Sequence, residues 1–193
     1  MTGQQAITTL GEQLYKGFSI ETEPQRSAYK SVYENFITDG SKGVLVIGTV
    51  GVGKSALMRV MQKLFIESDR RFKWVAGKEF KYLLENYTSS DLLAMYGKEC
   101  RMDLYIDDIG LTAGDFKKYG NSINIISEII FDRYELYIEK GIRTHISSNL
   151  PITIDKNKFP DVQSLLDIFG ERVTDRLKEM CQTIKITGKS LRG

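Results

Sequence analysis

The run Gly48-Thr49-Val50-Gly51-Val52-Gly53-Lys54-Ser55 restricts this chain more than any other stretch. It satisfies the phosphate-loop pattern G-x-x-x-x-G-K-[ST] at every fixed position. Such a pattern can arise by chance, so the flanks decide. Val44-Leu45-Val46-Ile47 precedes it as an all-apolar run, which reads as a buried strand. Ala56 to Phe65 follows it with apolar residues at helical spacing. Strand, glycine loop and helix are the context the pattern needs.

The residue types dictate the chemistry. Gly48, Gly51 and Gly53 permit backbone angles and close approaches that a β-carbon would obstruct. Consecutive N–H groups can then face a polyphosphate, with the helix N-terminus adding partial positive charge. Lys54 is expected to reach the β- and γ-phosphates, and the Ser55 hydroxyl to hold Mg²⁺. The candidate contacting segment is Gly48, Thr49, Val50, Gly51, Val52, Gly53, Lys54, Ser55 and Ala56. The competing reading is a glycine-rich turn that binds nothing.

A second landmark is Met102-Asp103-Leu104-Tyr105-Ile106-Asp107-Asp108, an apolar strand ending in two carboxylates. In phosphate-loop enzymes the first acid of such a strand holds Mg²⁺, directly or through water. Asp107 takes that role, and Asp108 is placed to orient or deprotonate the attacking water. A surface Asp-Asp turn is the plain alternative; the phosphate loop tips the reading toward a site.

The remaining chain supplies the frame. Residues 1–24 read as a short N-terminal extension with a helix around Ile7–Tyr15, too short for a separate domain. Helices are expected at Gln25–Phe36, Lys78–Asn86 and Asp91–Tyr96, and a strand at Arg71–Val75. Gly110–Asn121 reads as a polar connector carrying Lys117 and Lys118, then Ser122–Glu139 as a long amphipathic helix. Arg143–Asn149 is a fourth strand, and its His145 is expected to be structural. Pro151–Pro160 is loop, Val162–Phe169 a helix, and Gly170–Leu177 starts or continues another. Thr183–Thr187 alternates as a fifth strand. Strands alternating with helices imply a parallel sheet covered on both faces, with ligand at the carboxyl ends of the strands where strand order switches.

Composition mainly excludes. At 193 residues and 41% apolar content, one domain with a real core is expected. Lys and Arg total 27 against 25 Asp and Glu, so charge gives no strong push toward nucleic acid. Cys100 and Cys181 match no metal spacing and read as reduced thiols of a cytoplasmic protein. No signal peptide and no membrane-spanning run is visible.

Several landmarks stand in order: Gly48–Ser55, Tyr105–Gly110, Ser147-Ser148-Asn149-Leu150, Gly170-Glu171-Arg172 with Asp175-Arg176-Leu177, and Gly188–Arg192. The set resembles the DnaC/DnaI/IstB branch of AAA+ ATPases, helicase loaders and transposition helpers, over roughly residues 25–193. The resemblance implies a three-layer α/β phosphate-loop (AAA+) core with a five-stranded parallel sheet and no helical lid domain. It implies that Asn149 is the sensor contacting the γ-phosphate or the attacking water. Arg176 matches an arginine finger acting on a neighbouring subunit's nucleotide, with Arg172 a second candidate. Arg192 resembles a sensor-2 arginine acting within its own subunit. Asp108 stands where many AAA+ proteins carry Glu, a shorter carboxylate that would suit slow hydrolysis.

The implied activity is slow ATP hydrolysis with Mg²⁺, switching the assembly of a homo-oligomer on DNA. The implied partner is a replicative helicase or, alternatively, a transposase. A small-molecule kinase of the nucleoside-monophosphate type is the rival from another class. It shares the phosphate loop, but the Asp-Asp strand and the Ser-Ser-Asn that ends the next one argue against it.

Overall fold

A computed structural model describes residues 3–15, 18, 20, 22–110, 116–118 and 121–188. Its centre is a sheet of five parallel strands: β1 (Gly43–Ile47), β2 (Phe72–Ala76), β3 (Asp103–Asp107), β6 (Thr144–Ser148) and β7 (Cys181–Lys185), in the order β2-β3-β6-β1-β7. The chain leaves β1 for the far edge at β2, returns through β3 and β6, and then crosses over β1 to β7. The ends of β1, β3 and β6 therefore lie side by side, with Leu45 opposite Ile146 and Ile146 opposite Ile106.

Every residue of β1 is buried, as a strand covered on both faces requires. Its side chains alternate between two cores. Val44 and Val46 join Phe72, Tyr105 and Ile184 beneath α1 (Gly3–Leu14), α2 (Glu23–Ile37) and α3 (Lys54–Leu64). Leu45 and Ile47 join Leu104, Ile106 and Ile146 beneath α4 (Glu79–Asn86), α5 (Ser89–Tyr96), α6 (Ile125–Lys140) and α7 (Leu165–Met180). Ile7 of α1 and Phe18 are buried in the first core, so the N-terminal segment packs onto the sheet layer.

Several expected bounds shift for local reasons. The connector after β3 contains a hairpin, β4 (Phe116–Lys118) paired antiparallel with β5 (Asn121–Ile123), so Lys117 and Lys118 lie in a strand. The helix expected from Ser122 begins at Ile125, where the Asn124 side chain accepts from the Ser127 N–H. Thr22 with Gln25, Thr88 with Asp91 and Ser164 with Asp167 form capping boxes that start α2, α5 and α7. Gly170, at φ 76° and ψ 176°, breaks α7 in two. The last strand starts directly at Cys181, because α7 ends with no intervening loop.

The amino end of the sheet is pinned by a buried charge. Arg133 of α6 is fully buried and donates to Thr144 Oγ1, Cys100 O, Met102 O and Arg143 O at 2.7–3.0 Å. These are neutral oxygens at the starts of β3 and β6. Beside it Arg143 donates from Nε to Asp103 at 2.8 Å. His145 is fully buried, stacks on Phe36 at 4.5 Å and accepts the Val44 N–H at Nδ1. It is a core residue, as expected. Cys181 is buried and its thiol is pushed up to about 12 by burial, which leaves it inert. Among the described residues, no helix is long and apolar enough to cross a membrane.

Candidate functional site

The loop after β1 turns sharply because two of its glycines occupy the left-handed region, Gly51 at φ 87° and Gly53 at φ 94°. Gly53 is the N-cap of α3 and no side chain caps that helix, so its first amides point outward with the positive end of the helix dipole. Gly48 meets a different demand. A β-carbon there would lie 2.4 Å from the Ile186 carbonyl, so the loop can leave the sheet only through glycine. Val52 is buried and anchors the loop in the first core, while Val50 is 59% exposed at its tip. Thr49 is exposed and Ala56 half-buried.

Lys54, the first residue of α3, is only 6% exposed. Its ammonium donates to Gly48 O at 2.6 Å, Thr49 O at 3.0 Å and Asn149 Oδ1 at 2.5 Å. The Asn149 amide nitrogen in turn donates to both carboxylate oxygens of Asp108 at 2.9 Å. Lysine, amide and carboxylate thus form one relay across the ends of β1, β6 and β3. Both partners fix the orientation of the Asn149 amide.

A second set converges on Asp107, the last residue of β3. Its Oδ1 accepts from Ser55 Oγ at 2.9 Å, Tyr105 Oη at 2.7 Å and Ser147 Oγ at 2.6 Å. Ser147 also accepts the Asp108 N–H at 2.9 Å. Asp108 itself has φ 58°, a left-handed angle that Asp tolerates better than most residues. Burial raises the Asp108 carboxyl above the ordinary aspartate value; Lys54 opposes this, Asp107 adds to it, and the Asn149 bond opposes it. Burial likewise carries the Tyr105 phenol well above its usual range, so it stays a neutral donor.

The described site residues proposed from sequence for the nucleotide's own subunit therefore meet at one place. Lys54, Asn149 and Asp108 form one hydrogen-bonded set and Ser55 and Asp107 another, and Ser147 bridges the two. Arg176 lies elsewhere. Its guanidinium sits 4.7 Å from the Phe131 ring and 5.1 Å from the Tyr134 ring on α6, and Nη1 donates to Arg172 O. Arg172 is exposed, 5.7 Å from the same Phe131 ring. Arg192 lies outside the described residues. Sequence reading assigned no role to Tyr105 or Ser147. The available signal was polarity in buried strands: Tyr105 lies between Leu104 and Ile106 in β3, and Ser147 follows Ile146 in the fully buried β6.

Neither a protein-family model nor a curated protein sequence matches the chain. Solved structures do. The crystal structure of the DnaC helicase loader is 21% identical over 89% of this chain and 95% of its own, with a TM-score of 0.62. That of DnaI is 15% identical over 100% of this chain and 95% of its own, with a TM-score of 0.65. AMPPCP-bound DnaA from Aquifex aeolicus is 20% identical over 90% of this chain and 50% of its own, with a TM-score of 0.58. The chain shares the fold of these structures, a five-stranded parallel sheet with a phosphate loop after its first strand. No helical lid domain follows the last strand among the described residues.

Proposed function

We propose that this chain is an ATP-driven switch that acts as a helicase loader. The observation that carries the reading is the joined pair of networks at the strand ends. Lys54 meets Asn149 just past β6, Asn149 meets the Asp108 carboxylate just past β3, and Ser55 meets Asp107. The architecture shared with the DnaC and DnaI structures supports the choice of a loader.

The site fits a nucleoside triphosphate with Mg²⁺. The uncapped α3 N-terminus and the glycine loop offer main-chain donors, and Lys54 adds a positive charge. A serine hydroxyl beside an aspartate is a hard-oxygen donor pair of the kind Mg²⁺ prefers. Residues 48–56 would hold the phosphates, and Ser55 and Asp107 the metal. The chemistry supplied by bound Mg²⁺ is neutralisation of the phosphate charge. Asp108 and Asn149 orient the attacking water, and the raised Asp108 carboxyl accepts its proton. Arg176, with Arg172 beside it, acts across a subunit interface, and Arg192 acts within its own subunit. Residues 25–193 form the ATPase core, and assembly with ATP presents a surface to DNA. The DnaA structure determined with AMPPCP and single-stranded DNA is a precedent on the same fold.

The test is calorimetry of the purified protein with Mg²⁺ and ATP, followed by ADP release with DNA present. Wild type should bind, and Lys54→Ala should weaken binding by roughly 10–100-fold, the loss of one or two charge-assisted hydrogen bonds. Absence of nucleotide binding by the folded wild type would sink the reading. Capture of a hexameric helicase supports the loader, whereas capture of a transposase would replace it with a transposition helper. Phosphoryl transfer to a nucleoside monophosphate would replace both with a kinase.

A further inference from the structure

Two hydroxyls that the proposed chemistry leaves unused face its metal-binding acid. Tyr105 and Ser147 are both fully buried, on adjacent strands, and both donate to the same oxygen of Asp107. Buried hydroxyls need partners, so one such bond alone would be mere satisfaction. Their convergence asks for more. A tyrosine and a serine stand in sheet positions where apolar side chains would avoid the cost of burying a hydroxyl. Both donors reach a single carboxylate oxygen already engaged by Ser55.

The count of donors shows what this does. Three hydrogen bonds on Oδ1 fix the rotation of the carboxylate and leave Oδ2 as the oxygen that none of them engages. Ser147 has one hydrogen to give, and it goes to Asp107. Its lone pair takes the N–H of Asp108, the residue held at φ 58°. One serine therefore sets both the side chain of the first acid and the backbone of the second. Tyr105 is braced in turn. Its ring meets Trp74 edge-on at 4.4 Å, and the Arg59 guanidinium covers the Trp74 ring at 3.6 Å.

We propose that Ser147 and Tyr105 are positioning residues that orient Asp107 for Mg²⁺ and so set the metal affinity of the nucleotide site. The proposal rests on the reading of Asp107 as the metal-side acid. Partners that orient a ligating carboxylate typically account for ~10–100-fold in metal affinity, and that is the size of effect expected here.

The experiment measures Mn²⁺ binding by electron paramagnetic resonance, with Mg²⁺ as competitor, on the full chain with a non-hydrolysable ATP analogue. Wild type is compared with Ser147→Ala, Ser147→Thr and Tyr105→Phe. Ser147→Ala and Tyr105→Phe should each weaken the metal by ~10–100-fold, while Ser147→Thr, which keeps the hydroxyl, should stay close to wild type. Nucleotide binding in EDTA, followed by emission of Trp74, the single tryptophan, should be unchanged in all. Tyr105→Phe removes one oxygen and keeps the ring against Trp74, so the test survives if Ser147→Ala fails to fold. Metal curves of both variants that overlay wild type would overturn the proposal alone. So would an equal loss of metal-free nucleotide binding, which would mark a structural role. A wild type that binds nucleotide but no Mn²⁺ would instead remove Asp107 from the metal site, and the proposal with it.

Discussion

Acidification should destabilise this protein through one residue before its carboxylates begin to titrate broadly. His145 is the only histidine in the chain and is fully buried. Burial lowers its pKa below the ordinary 6.5; Asp103 pulls the other way, and Arg143 and Arg133 add to the lowering. Geometry supplies a further reason. Nδ1 accepts the Val44 N–H at 3.2 Å, so the proton sits on Nε2, and a second proton would set two donors against each other. The sign follows from linkage. The unfolded chain takes up a proton below about 6.5 and the folded chain only at a lower pH, so stability is present above about 6.5 and lost as pH falls toward the folded value. The loss between pH 7 and 5.5 is then at most about 1.2 kcal/mol, reached if the ring stays neutral over that range, with a limiting slope near 1.4 kcal/mol per pH unit. Asp108, raised in the fold, contributes with the opposite sign, so urea titrations are best run in an Asp108→Asn background. NMR of the single imidazole reads the same quantity directly. A ring that titrates near 6.5 in the folded protein, or a stability that is level down to pH 5.5, would refute the reasoning.

Two other outcomes are expected. Asp108→Asn should cut hydrolysis by roughly 10²–10⁴-fold. It should also raise the melting temperature at pH 8, because the fold disfavours the ionised carboxylate, and the gain should shrink as pH falls through the wild-type carboxyl's folded pKa. Arg176→Ala should lower ATPase activity by ~10³-fold or more at concentrations where subunits assemble, while dilute protein binds ATP as before. Equal losses of binding and turnover would place Arg176 in its own subunit's site instead.

The architecture was legible where one physical demand dominates. A parallel strand buried on both faces must be apolar throughout, so β1 announced itself, and the glycines after it had to turn. Most strands are short apolar or alternating runs and fall within one residue of their expected bounds; β7 begins two residues earlier than expected, and β6 is polar at four of its five positions. The hairpin β4–β5 was missed because Phe116–Lys118 and Asn121–Ile123 are polar and short, and pairing, not composition, makes them strands. The start of the long helix was misplaced for the same reason, since the cap at Asn124 competes with helix-like neighbours on either side. In the site, the phosphate loop and the acids were visible as patterns. Tyr105 and Ser147 were not, because a hydroxyl's role depends on what lies across the strand, and register appears only once the sheet is built.

The four bonds of Arg133 carry a mechanical consequence. A single guanidinium rivets the floor of the sheet to the longest unbroken helix of one layer, and three of its four bonds go to backbone carbonyls that substitution leaves in place. Lysine, with three donors on one compact ammonium, could not span those four oxygens despite its equal charge. Loss of that guanidinium would leave four oxygens at the starts of β3 and β6 without their shared donor, in a place closed to water.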